Sequence, residues 1–192
     1  MEKEVFYMHT KQNTLTFMQR IKDSALEIKS VKSLCGCAML TALHVVISSV
    51  RIVISNLLEI SFSYLAVGVC AMMYGPLLTG LAGVIADLLN YIVRPSGPFF
   101  PGFTINAFVS AFIYGCFLYK KEVTLPRTIL CRLTVVIVIN LILTPIWLNI
   151  LYGNALFAMP RIIKNIVMFP IDTALLYITL KTASRISIHK NK

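Results

Sequence analysis

Two carboxylates, Asp87 and Asp172, stand inside long apolar stretches of the chain, and each shares a helical stripe with amides and cations. Around Asp87, the residues Gly80, Gly83, Asn90, Tyr91 and Arg94 recur at spacings of three and four, which puts them on one helix face. At 1.5 Å per residue, Arg94 lies about 10 Å from Asp87 along that helix. Arg161, Lys164, Asn165 and Met168 form a second stripe that runs to Asp172 just past Pro170. Arg161 and Lys164 would clamp an anionic group there or would snorkel to lipid headgroups. Asp172 is about 16 Å from Arg161 along an ideal helix, so its place in a common site stays open. A third stripe joins Asn140, Thr144, Trp147, Leu151 and Asn154. Its Trp reads either as an interfacial anchor or as a flat surface for a ring. The segment Arg94-Pro-Ser-Gly-Pro-Phe-Phe-Pro-Gly102 has three prolines and two glycines in nine residues. It excludes helix and predicts a rigid, shaped loop, with Phe99, Phe100 and Phe103 on or next to it.

These residue types suit binding rather than bond-breaking. Aromatic faces take a flat heteroaromatic ring, guanidinium forks take carboxylates, and a buried Asp accepts from a ring amine. An ionisable group inside an apolar span costs several kcal/mol unless paired or hydrated, so Asp87 is a candidate site group or half of a structural pair. His44, alone on an apolar face, reads as a helix-packing residue.

The elements that must position these residues are membrane helices. The chain has 192 residues, of which 57% are hydrophobic and 14% charged, with a mean hydropathy of +0.78. Such a composition cannot furnish a soluble domain's surface. Six apolar segments, roughly 34–54, 61–75, 77–93, 103–119, 129–151 and 162–180, approach the ~20 residues needed to cross a bilayer. The second and third meet at Gly75-Pro76, where the chain must turn. This predicts an all-α polytopic membrane protein, a six-transmembrane-helix bundle. Residues 1–33 form a lead-in, 34–181 the membrane domain and 182–192 a basic tail.

The net charge of +10 belongs to the loops. Fourteen of the eighteen basic residues fall on one side: six before Ser33, Lys120, Lys121, Arg127 and Arg132 in the fourth-to-fifth connection, and four in the tail. Arg51, Arg94, Arg161 and Lys164 fall on the other. With an even number of spans, the positive-inside rule makes both termini cytosolic and argues against nucleic acid as a partner. In the lead-in, Phe17, Ile21 and Ile28 fall near one face, as a surface helix would have them. The five cysteines lie in or beside apolar segments without paired Cys-x-x-Cys motifs, so they read as small hydrophobes and not as metal ligands. No phosphate loop, zinc-protease motif or nucleophile elbow is present, so the sequence points to no ATPase activity, enzyme chemistry or cofactor of its own.

The runs Tyr74-Gly-Pro-Leu-Leu-Thr-Gly-Leu-Ala-Gly-Val-Ile-Ala-Asp-Leu88 and Pro95-Ser-Gly-Pro-Phe-Phe-Pro-Gly-Phe-Thr104, with Pro160-Arg-Ile-Ile-Lys-Asn165 and Phe169-Pro170, resemble the substrate-binding S components of energy-coupling factor (ECF) transporters, in their folate-specific branch. The resemblance spans about residues 34–180. It implies a vitamin-capture subunit without an energy source of its own, which takes folate or a related pterin from outside and pairs with a transmembrane coupling subunit and two ATPases. It carries the pocket onto Arg51, Asp87, Arg94, Phe99, Phe103, Trp147, Arg161 and Lys164. Asn90, Tyr91, Gly97, Pro98, Asn106 and Asn165 complete the candidate substrate-binding set. Ala38 and Ala42, small residues four apart, match the family's docking motif for the coupling subunit. Alternatives are an S component for another heterocycle, such as a queuosine precursor or pantothenate, and a polytopic membrane enzyme.

Overall fold

A computed structural model describes residues 17–50, 52–55, 58–93, 99–153 and 159–190; the side chains of 17, 52–60, 152, 159–164 and 187–190 fall outside the description. Helix α1 (Phe17–Glu27) is followed by α2 (Val31–Ser49). Ser30 caps α2, its hydroxyl accepting from the Ser33 N–H. The first apolar segment does not stay helical to residue 54. The β-branched run after Ser49 leaves the helix for an antiparallel hairpin of β1 (Ile52–Ser55) and β2 (Leu58–Ile60), as such residues favour. The rest is helical: α3 (Tyr64–Val93), α4 (Pro101–Leu118), α5 (Leu125–Val135), a π-helical segment (Val136–Leu143), α6 (Thr144–Tyr152) and α7 (Met159–Lys190).

Helix α3 is two helices. Gly75 has φ 81° and ψ −179°, far from helical values. Thr79 donates to the Cys70 sulfur at 3.6 Å. Along one straight helix those residues would be about 13 Å apart, so the chain doubles back at Gly75-Pro76. The reversal needs Gly75, because its φ favours glycine and a Cβ there would meet Ser24 at 2.7 Å. With α3 counted as two arms, and α5, the π segment and α6 as one span, the described residues supply the six-helix membrane bundle expected, with the small hairpin added.

The second arm of α3, from Pro76 on, packs against α4 through small residues. A Cβ on Gly115 would meet Pro76 Cα at 2.3 Å, and one on Gly83 would meet the Ala107 carbonyl at 2.8 Å. Close backbone approach of this kind drives helix association in lipid, where apolar burial alone does not. Ala71, Tyr114, Leu118, Cys131, Val135, Ile139, Leu176 and Leu180 form the core, and Ile85, Ile92, Val167 and Ile178 lie exposed on outward faces.

The lead-in is helical over α1 and clasps one end of the bundle. The Ser24 hydroxyl donates to the Tyr74 carbonyl at 3.2 Å and accepts from the Leu77 N–H at 3.1 Å, capping the reversal. Asp23 pairs with Lys120 at 2.8 Å beyond the end of α4. Next to Lys120, the buried Tyr119 phenol is pushed above its usual range by burial first, then by Glu27 and Asp23. Arg132, counted above with the loop cations, lies instead within the bundle.

Candidate functional site

The aromatic loop and the fifth span meet at the end of the bundle opposite α1. Phe100 lies 5.9 Å from Phe103 and 5.8 Å from Trp147 between ring centroids. These rings close over Gly102, where a Cβ would meet Phe100 at 2.4 Å and Trp147 at 2.6 Å. Phe99 stands edge-on to Tyr91 at 5.2 Å. Asn106 is 7% exposed and links the cluster to α6, its oxygen accepting from Trp147 Nε1 at 3.0 Å and its amide donating to Thr144 Oγ1 at 3.2 Å.

The Asp87 stripe divides between two neighbours. Gly80 and Gly83 serve packing against α4, and Asp87 accepts a hydrogen bond from Thr104 on α4 at 2.8 Å. Asn90 accepts instead from Ser48 on α2. Asn165 on α7 accepts from the Asn140 amide in the π segment at 3.2 Å. Thus the fifth span's predicted single stripe is split: Asn140 turns to α7, and Thr144 with Trp147 to α4. Arg51, Arg94, Gly97 and Pro98 lie outside the described residues, as do the side chains of Arg161 and Lys164. Ala38 and Ala42 are exposed on α2, beside Met39, Leu43 and Val46.

Asp172 is 8% exposed and belongs to a separate cluster deeper in the bundle. Arg132 is ion-paired with it, donates to the Tyr114 hydroxyl at 2.9 Å and lies over the Tyr64 ring at 4.5 Å. The Tyr64 hydroxyl donates to Asp172 at 3.0 Å. Four helical segments therefore meet on one ion pair, which answers the cost of charge in an apolar span. Tyr64, Tyr114, Thr104 and the pairing of Arg132 escaped sequence reasoning. An Arg flanked by Cys131 and Leu133 was the one signal available.

His44 donates through Nδ1 to the Ser63 carbonyl at 3.1 Å, since a carbonyl only accepts. It borders a cavity of about 20 Å³ lined also by Thr41, Cys70, Thr79 and Ala86, room for about one water and not for a vitamin. The Cys37 and Cys70 sulfurs lie 3.2 Å apart near it. Among the described residues no group of side chains is arranged to hold a metal.

The described residues thus form a multi-helix membrane bundle with aromatics, amides and a carboxylate near one end. A family model described as ECF-type riboflavin transporter, S component, matches residues 28–185. The chain belongs to this family of ECF transporter S components, which makes it a multi-pass cytoplasmic-membrane transport subunit and not an enzyme. Among characterised relatives, the folate transporter FolT of Clostridium novyi (strain NT) is 35% identical over 163 residues, covering 84% of this chain and 95% of that protein. The folate transporter FolT of Leuconostoc mesenteroides subsp. mesenteroides is 36% identical over 151 residues, covering 74% and 81%. A crystal structure of FolT bound with folic acid superposes with a TM-score of 0.72 at 38% identity, covering 77% of this chain and 92% of that one.

Proposed function

We propose that this chain is a folate-capture subunit: it binds folate or a related pterin from outside and delivers it inward when joined to a coupling subunit and two ATPases. The observation that carries the reading is the likeness to FolT proteins, including one bound with folic acid, across most of both chains. The Phe100–Phe103–Trp147 group suits the pterin ring, and Asp87 and Asn106 suit its amine and amide edge. Arg51, Arg94, Arg161 and Lys164 are the cations proposed for the glutamate carboxylates. Both termini are cytosolic in this reading, with the aromatic site facing outward. The exposed Ala38 and Ala42 face of α2 is the proposed docking surface for the coupling subunit.

Trp147 is the single Trp of the chain, so its fluorescence reports the site alone. Folate titrated into purified protein in detergent quenches that emission saturably, and related pterin-glutamates compete while riboflavin does not. Because the matching family model carries riboflavin in its description, riboflavin is the necessary competitor. Saturable riboflavin binding with no response to folate reverses the ligand assignment while leaving the family intact.

A further inference from the structure

Two polar bridges join the fifth span to α7: Arg132 with Asp172, and Asn140 with Asn165. The residues are eight apart on the first helix and seven apart on the second. Seven residues of α-helix turn about 700°, close to two full turns, so Asp172 and Asn165 share a face of α7. Eight residues turn about 800°, which would rotate Asn140 some 80° away from Arg132 and out of reach of Asn165. The π segment begins within that interval, at Val136, and runs on past Asn140 to Leu143. Its wider i→i+5 turns advance about 80° per residue instead of 100°. From Arg132 to Asn140 the helix then winds about 720°, and both residues meet α7. The Thr144 N–H still reaches the Ile139 carbonyl, five residues back, before Pro145 brings the helix into α6.

We infer that the π segment is a register-correcting turn that, anchored by the Arg132–Asp172 pair, positions Asn140 opposite Asn165 as a substrate-reading amide pair. The bond between them uses the Asn140 nitrogen and the Asn165 oxygen. This leaves the Asn140 oxygen as an acceptor and the Asn165 nitrogen as a donor for a ligand. An acceptor beside a donor matches a heterocycle edge with adjacent N–H and C=O groups. Asn140 is then a binding residue, and Arg132 and Asp172 are positioning residues that never touch the ligand. The amide-pair role rests on the folate reading above; the register does not.

The test turns on an asymmetry between losing and gaining one residue. Deleting Ile137, which is 42% exposed on an outward face, lets the segment relax to regular α-helix while Asn140 keeps its place. Inserting an alanine after Ile137 adds a further turn of about 100° and swings Asn140 away. In full-length chain with its five native cysteines replaced, the Asn140→Cys/Asn165→Cys pair is cross-linked in membranes with copper phenanthroline. The pair cross-links in the parent and in the deletion but not in the insertion. Loss of the cross-link on deletion, or its survival on insertion, overturns the register inference, and neither result needs a ligand. In folate titrations followed at Trp147, Asn140→Ala weakens binding at least tenfold. An Asn140→Ala protein with the parent's affinity removes the amide pair from the site. A parent that fails to bind folate but cross-links as expected leaves the register standing and sinks the folate reading.

Discussion

Trp147 hands its indole N–H to the Asn106 oxygen across 3.0 Å, and the same Asn106 side chain holds Thr144 one turn earlier. A single buried amide thus fixes the plane of the indole and joins α4 to α6. Replacing Asn106 with Leu leaves the indole N–H without its partner, a loss of about 1–3 kcal/mol. The expected result is a shifted Trp emission maximum in the free protein and a Kd for folate raised roughly tenfold, the scale of about 1.4 kcal/mol. An unchanged emission spectrum removes Asn106 from control of the ring.

Asp87 accepts from Thr104 and so has a partner without any ligand. Asp87→Asn keeps the shape and can keep that hydrogen bond, but loses the charge. The protein is expected to purify and melt like the parent while folate binding falls at least tenfold in the Trp147 titration. Equal affinity assigns Asp87 to helix packing alone.

The Arg132–Asp172 pair obeys a different rule. Removing one partner strands a buried charge, which costs about 3–5 kcal/mol, whereas removing both exchanges the pair for apolar packing. Arg132→Met and Asp172→Leu singly are expected to lower the thermal midpoint in detergent by many degrees, and the double variant to recover most of the loss. Tyr64→Phe, which deletes one donor to Asp172, should cost about 1 kcal/mol. Additive losses in the double variant dismiss the pairing.

Gly115 faces backbone, not a yielding side chain, since its Cβ would fall 2.3 Å from Pro76 Cα. Gly115→Ala must push α4 away from the reversal and is expected to destabilise by about 1–3 kcal/mol or more. Gly153→Ala provides a control: nothing lies within 4 Å of its Cβ, so only the strain of φ +74° remains. Thermal melts of the two variants rank the effects, and the larger loss belongs to Gly115.

Ala38 and Ala42 lie on an exposed face of α2, away from the aromatic site. Ala38→Trp or Ala42→Trp is expected to leave folate affinity within about twofold and to abolish uptake together with co-purification of the coupling subunit. Uptake that survives both substitutions relocates the docking face.

The helices were readable because hydropathy in lipid answers to length and composition alone, and Gly75-Pro76 disclosed its own reversal. Arg132 was misplaced because its partner Asp172 lies forty residues away, while Lys120 and Lys121 precede it in a real loop and Arg127 in the first turn of α5. Nothing local distinguishes a loop cation from one drawn inward by a distant carboxylate. The stripe of Asn140, Thr144 and Trp147 assumed a period of 3.6, and the π segment alters that period where it matters. The first strand, from Ile52, began inside the apolar run 34–54, where a short strand and the end of a helix look alike. For the site, the Phe-rich loop and Trp147 announced themselves by composition. Thr104 had no such mark, being an ordinary polar residue that gains its part from the Asp87 carboxylate α3 brings to it.

The reversal at Gly75 also governs how the chain enters the bilayer during synthesis. The arm from 64 to 74 is about 16 Å long, roughly half the hydrocarbon thickness, and is a poor passenger for the insertion machinery by itself. In the proposed orientation it would cross paired with the arm from 76 to 93, its turn kept on the cytosolic side. Ser24 can close its two hydrogen bonds only once that turn exists. The segment made first is therefore among the last to settle, and α1 acts as the latch that completes assembly.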